Sequence, residues 1–122
     1  MGKINRVVGM CLAVVGVPVL GQAPAPNGAT LYKAKCGSCH SIPANKVGPA
    51  HKGVFGRKAG LAPGYSYSAA LKSSGIVWND KSLDLWLQGP QKVVKGSKMF
   101  FTVPDATQRT AIITYLKAPV AK

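Results

Sequence analysis

The sequence predicts an all-α fold. Several short segments set apolar residues on one face and are bounded by capping or stop residues. No run alternates polar and apolar residues as a half-buried strand would. Between the segments, much of a total of 14 glycines and 9 prolines makes the chain loop-rich. A length of 122 residues suits one domain, and a hydrophobic share of 47% is enough for a compact core. Domains of about 100 residues stand near the small end of self-sufficient folding, where a bound cofactor adds to the core.

The elements follow in order. Asn27 can cap a helix from about Gly28 to Lys35, whose Leu31, Tyr32 and Ala34 make one buried stripe. Residues 41–64 are crowded with glycine and proline and show no sustained period, so they form a long loop of the kind that serves a site. Ser68 to Ser74 is a short helix closed by Gly75. Asp80 to Gln88 is another, with Leu83, Trp86 and Leu87 on one face and Gly89-Pro90 as its stop. A loop runs from about Lys95 to Pro104. The last helix starts at Asp105 with Gln108 three residues on, a capping-box pattern. It presents Ile112, Tyr115 and Leu116 and stops before Pro119.

The N-terminus is laid out as a secretory signal peptide over residues 1–21. Lys3 and Arg6 make a basic start, Val7 to Leu20 is uncharged and apolar, and small residues follow. The apolar run is shorter than the ~20 residues a spanning helix needs. Cleavage after Gly21 or after Ala23 would leave a short extended tail, residues 22–27, ahead of the domain at 28–122; an uncleaved anchor is the alternative. Cys11 is an apolar leader residue, since Val8-Gly9-Met10 does not resemble a lipid-attachment box.

Charge is lopsided. Sixteen lysines and arginines face three acids, Asp80, Asp84 and Asp105, for a formal net charge of +13. This calls for acidic partners, nucleic acid or an anionic membrane surface. Nucleic acid is disfavoured: beyond the leader the chain has only Arg57 and Arg109 as arginines, and no basic helix with interleaved aromatics.

Cys36-Gly37-Ser38-Cys39-His40 is the decisive motif. C-x-x-C-H is a c-type haem attachment signature. Residues three apart on a helical turn share a face. Two thiols there can form thioethers with the vinyl groups of a porphyrin edge, and the next residue can set its imidazole over the iron. The rivals are weaker. A structural disulfide is conceivable; a thioredoxin-like pair needs a βαβ setting; a zinc site needs a second ligand pair. Met99, in the loop Gly96-Ser97-Lys98-Met99-Phe100-Phe101, is the one methionine beyond the leader. It either fills core space or supplies a thioether as sixth ligand, which raises the reduction potential. His51 competes as a second histidine ligand or is a half-buried loop residue.

In order along the chain, these residues resemble class I cytochrome c, specifically mitochondrial cytochrome c and bacterial cytochrome c2. The match runs from about Gly28 to Leu116 through Cys36–His40, Val47-Gly-Pro49, Gly53-Val-Phe-Gly-Arg-Lys-Ala-Gly60, Ala62-Pro-Gly-Tyr-Ser-Tyr67, Gly75-Ile-Val-Trp78, Gly96-Ser-Lys-Met-Phe100 and Arg109 with Ala111–Leu116. The resemblance implies about five short helices wrapped around one covalent haem c. It implies His40 and Met99 as axial iron ligands, with Gly28 and Tyr32 packed on the last helix near Ile113 and Tyr115. It implies that the Pro49 carbonyl accepts from the other ring nitrogen of His40, and that Arg57, Tyr67, Trp78 and Ser97 satisfy the haem propionates. Leu31, Leu87, Val94 and Phe101 would exclude water. Three residues depart from the pattern: His51 stands where leucine is usual, Leu71 for asparagine, and Trp86 for tyrosine near the methionine sulfur.

The expected function is that of a soluble, monomeric, periplasmic carrier that moves single electrons by outer-sphere transfer, not an enzyme. A peroxidase-like haem domain would need an open iron position, which Met99 fills, or a second domain. The resemblance implies a cytochrome bc1 complex as donor and an oxidase, reaction centre, peroxidase or denitrification enzyme as acceptor; a subunit dedicated to one complex is the other possibility. Lys35, Lys46, Lys92, Lys95 and Lys98 would ring the exposed haem edge and steer docking, or simply form a solvated basic surface. Neither nucleic acid nor stable membrane insertion is expected.

Overall fold

The computed structural model describes Gly2, Gly9 and residues 13–21 and 26–122. Lys3, Arg6 and Cys11 of the expected leader, the alternative cleavage position expected after Ala23, and most of the expected tail at 22–27 lie outside the described residues. Residues 13–21 carry no regular secondary structure, and Val14, Val17 and Leu20 are exposed. Among the described residues no helix is long and apolar enough to cross a membrane.

Five α-helices and a terminal 3-10 turn make up the domain: α1 (Gly28–Lys35), α2 (Ala69–Lys72), α3 (Asp80–Gln88), α4 (Pro90–Val93), α5 (Ala106–Lys117) and Pro119–Ala121. The all-α reading holds; the only β pairing among the described residues is an isolated bridge between Lys58 and Val77. Asn27 caps α1 by accepting from the Thr30 amide at 3.1 Å, and Lys33 and Lys35 complement the dipole at its last turn. Asp105 caps α5 through the Gln108 amide at 2.8 Å. Helix α3 begins where expected, but its cap is Asn79, in a reciprocal capping box with Ser82.

Two local readings change. Helix α2 is one turn rather than 68–74: the Ser73 amide still bonds the Ala69 carbonyl at 3.0 Å, but the Leu71 carbonyl, which a further turn would need, accepts from the Ser74 amide at 3.2 Å and from Ser74 Oγ at 2.8 Å. Gly89-Pro90 stops α3 and also starts α4, with Pro90 at the first helical position, where a missing amide proton costs nothing.

Helices α1 and α5 pack closely. A Cβ at Gly28 would run into the Ala111 carbonyl and lie 3.1 Å from Tyr115 Cβ, so only glycine permits this approach. The Tyr32 and Tyr115 rings meet with centroids 5.0 Å apart. Arg109 ties α5 to α3. It is buried, its Nε donates to Asp84 Oδ1 at 2.7 Å, and its Nη1 donates to the Val103 and Pro104 carbonyls at 3.0 and 2.7 Å.

The Arg109 hydrogen bond holds the Asp84 carboxyl below its ordinary range. A carboxyl depressed on folding contributes stability above its unfolded value of about 3.9, and that contribution is lost as pH falls through the folded value. Asp84→Asn should therefore cost about 1 kcal/mol in urea unfolding at neutral pH, because Asp84 is partly solvated and the pair is screened. The gap between parent and variant should close as pH falls below about 4. A gap that persists undiminished to pH 2 would count against the ion pair.

Candidate functional site

Most of the hydrophobic core also walls a cavity of about 540 Å³, within the ~300–1,000 Å³ usual for cofactor sites. Val54, Leu83, Leu87, Ile112 and Leu116 line it, together with Cys36, Cys39, His40 and Met99. Two thiols and an imidazole from one short segment, and a thioether 59 residues beyond His40, thus reach one largely apolar space.

The histidine side is built by short-range contacts. Cys36 is the C-cap of α1, and its carbonyl accepts from the amides of Cys39 at 3.1 Å and His40 at 2.8 Å. This turn sets both cysteines and His40 at the same wall. Both thiols are free. Burial pushes the Cys36 thiol up to about 11, the reverse of the depressed value that marks a redox-active thiolate pair. His40 Nδ1 lies 2.8 Å from the Pro49 carbonyl. A carbonyl only accepts, so Nδ1 carries the proton and Nε2 keeps its lone pair. Burial lowers the His40 pKa and keeps the ring neutral.

His51 finds its partner on this side. Its Nδ1 lies 2.9 Å from the Tyr32 hydroxyl, and its ring stacks on His40 with centroids 4.0 Å apart. Burial raises the Tyr32 hydroxyl well above its ordinary range, so it stays protonated and donates. Burial, helped by His40 and Arg57, holds His51 down to about 3, and the ring is neutral.

The methionine side is held over longer range. Trp86 Nε1 donates to Met99 Sδ at 3.2 Å, and Trp86 meets Trp78 edge-on at 5.2 Å between centroids. A thioether sulfur has two lone pairs, so one remains for a metal. Phe101 lines the cavity while half its surface faces solvent. Leu71 lines it as well, an apolar wall where the resemblance has an amide.

A polar corner completes the wall. Arg57 Nη1 donates to the Lys52 carbonyl at 2.8 Å and Nη2 to that of Ala50 at 3.2 Å, yet its buried Nε has no partner. Tyr67 accepts from the Ala62 amide at 3.0 Å, which leaves its own proton to donate. Trp78 stands beside them in the lining. Ser97 does not: it is buried outside the lining, 2.9 Å from Gln91 Nε2. Leu31 and Val94 also pack in the core without lining the cavity.

The Cytochrome c family model matches residues 25–118. The chain belongs to the cytochrome c family. The cytochrome c of Gibberella zeae is 45% identical over 95 residues, covering 75% of this chain and 90% of that protein. That of Arabidopsis thaliana is 42% identical over 100 residues, covering 79% and 89%. Among solved structures, cytochrome cH from Methylobacterium extorquens superposes with a TM-score of 0.70 at 44% identity, covering 75% of this chain and 98% of that one. The fold is that of class I cytochrome c; the chain is an electron carrier rather than an enzyme, and its cofactor is covalently bound haem c.

The residues fit a haem. Two free thiols sit beside an imidazole with an available Nε2, a thioether faces the same space, and the orphaned Arg57 Nε with the Tyr67 proton suits carboxylates such as propionates. Sequence reasoning missed Gln91 and the role of Gly48. Nothing local marks Gln91. Gly48 stands beside Pro49 in a quoted motif, but its reason is spatial: a Cβ there would overlap the His40 ring, 2.7 Å from both nitrogens. Gly48→Ala should therefore displace His40 and cost about 1–3 kcal/mol. Urea unfolding of the haem-loaded protein with its visible spectrum checks this; unchanged stability and spectrum would show that the ring has room to spare.

Proposed function

We propose that the chain is a periplasmic mono-haem carrier that shuttles single electrons between respiratory or photosynthetic complexes by outer-sphere transfer. The observation that carries the proposal is the convergence of Cys36, Cys39, His40 and Met99 on one cavity. When bound, haem c supplies reversible ferric–ferrous chemistry. Cys36 and Cys39 carry its thioether links, His40 Nε2 and Met99 Sδ ligate its iron, and Arg57, Tyr67 and Trp78 hold its propionates. The Pro49 carbonyl keeps His40 in one tautomer and orientation. Trp86 holds the sulfur with a donor that cannot accept. Apolar walls from Leu83, Leu87, Ile112 and Leu116 keep water from the metal.

Lys35 and Lys98 stand in the lining of the cavity, and Lys46, Lys92 and Lys95 are exposed. They steer docking onto acidic faces of a bc1-type donor and of an oxidase, reaction centre, peroxidase or denitrification acceptor. The leader at residues 1–21 directs export and is removed.

Redox titration with ferric and ferrous visible spectra tests the proposal. One haem c per chain is expected, with the weak long-wavelength ferric absorption of methionine–iron coordination. Met99→Ala should abolish that absorption and lower the potential. Second-order rates with an acidic partner should fall as salt rises. A parent without the methionine absorption would contradict Met99, and salt-independent rates would contradict steering.

A further inference from the structure

The loop that delivers Met99 has few anchors. Ser97 N donates to the Val94 carbonyl at 3.2 Å, and Val103 N donates to that of Leu87 at 2.7 Å. Between them, among the described residues, no backbone–backbone hydrogen bond involves residues 98–102. Phe100, Phe101 and Thr102 are exposed, and Phe100 is 75% so. The Lys98 ammonium reaches across to the Ser66 carbonyl at 2.5 Å, but through a flexible, exposed side chain.

One carboxamide replaces the missing ladder. Gln91 Nε2 lies 2.8 Å from the Ser97 carbonyl, 2.9 Å from Ser97 Oγ and 2.8 Å from the Met99 carbonyl. Its Oε1 accepts from the Gly96 amide at 3.1 Å. The amide has two protons, so the two carbonyls take them and the hydroxyl shares. Among the described residues, the bond to the Met99 carbonyl is the one hydrogen bond made to the main chain of 98–102. Gln91 is itself well placed to act as an anchor. It follows Pro90, which is fully buried, in α4, so its backbone is fixed independently of the loop. Trp86 grips the sulfur, but an indole on the side chain leaves the main chain free to swing; Gln91 determines where the residue itself stands.

We propose that Gln91 is a positioning residue for the sixth ligand: its carboxamide clamps Gly96, Ser97 and Met99 and thereby keeps the thioether on the iron against competing ligands. The proposal rests on Met99 as axial ligand. A group that must displace Met99 has to open this loop, and opening breaks the Gln91 bonds. Their loss lowers the cost of displacement without touching His40, the cysteines or the helices.

Imidazole titration of the ferric haem-loaded protein, followed through the long-wavelength methionine absorption, tests the clamp alongside amide exchange at Gly96. Gln91→Ala should raise imidazole affinity about tenfold to a hundredfold, the loss expected for two hydrogen bonds, and speed exchange at Gly96, with far-ultraviolet circular dichroism unchanged. Gln91→Glu, of equal size, keeps an acceptor for the Gly96 amide but has no proton for Ser97 or Met99. It should leave Gly96 protected and still raise imidazole affinity, and it carries the test if the alanine variant does not fold. Unchanged imidazole affinity in Gln91→Glu, with the methionine absorption present in the parent, overturns the clamp. A parent that lacks the absorption overturns axial Met99 instead; Gly96 exchange in Gln91→Ala then shows separately whether the carboxamide holds the loop.

Discussion

The core of this chain is arranged around a cavity, and that constraint governs the rest. Val54, Trp78, Leu83, Leu87, Ile112 and Leu116 pack against one another and also present surface to the same enclosed space. Buried apolar surface contributes most when it meets other atoms rather than a gap. A small domain has little core to spare. Haem c, covalently attached, therefore belongs to the interior as much as to the function.

The two sides of the site differ in how they are built. The histidine side is local: the end of α1, one turn at Cys36, a glycine that clears the ring and a carbonyl at Pro49. The methionine side is assembled from separate elements, with Trp86 from α3, Gln91 from α4 and a loop with almost no backbone pairing. The first arrangement holds its ligand rigidly. The second holds its ligand through side chains, and side-chain bonds can be released one at a time.

This difference also explains what could be read from the sequence. The C-x-x-C-H spacing, the Pro49 partner of His40, the Asn27 and Asp105 caps and the span of α3 depend on neighbours within a few residues or on the resemblance, and the structure places them as expected. The shortened α2 was not legible, because the Ser74 amide and hydroxyl take the Leu71 carbonyl only once the chain has turned. The start of α4 was hidden because Gly-Pro signals both a stop and a start. Ser97 was expected beside the propionates, but its hydroxyl is instead held by Gln91, a contact between α4 and the following loop that no local pattern encodes. The departure at His51 was visible; its partner, Tyr32 on α1, was not.

The most direct measurement is amide hydrogen exchange across α3 and α5 in the protein with its haem and in the haem-free Cys36→Ala/Cys39→Ala variant. A core completed by its cofactor predicts strong protection of Leu87, Ile112 and Leu116 in the first and its collapse in the second. Equal protection in both would mean that the polypeptide closes its own interior, and the account would be wrong at its base.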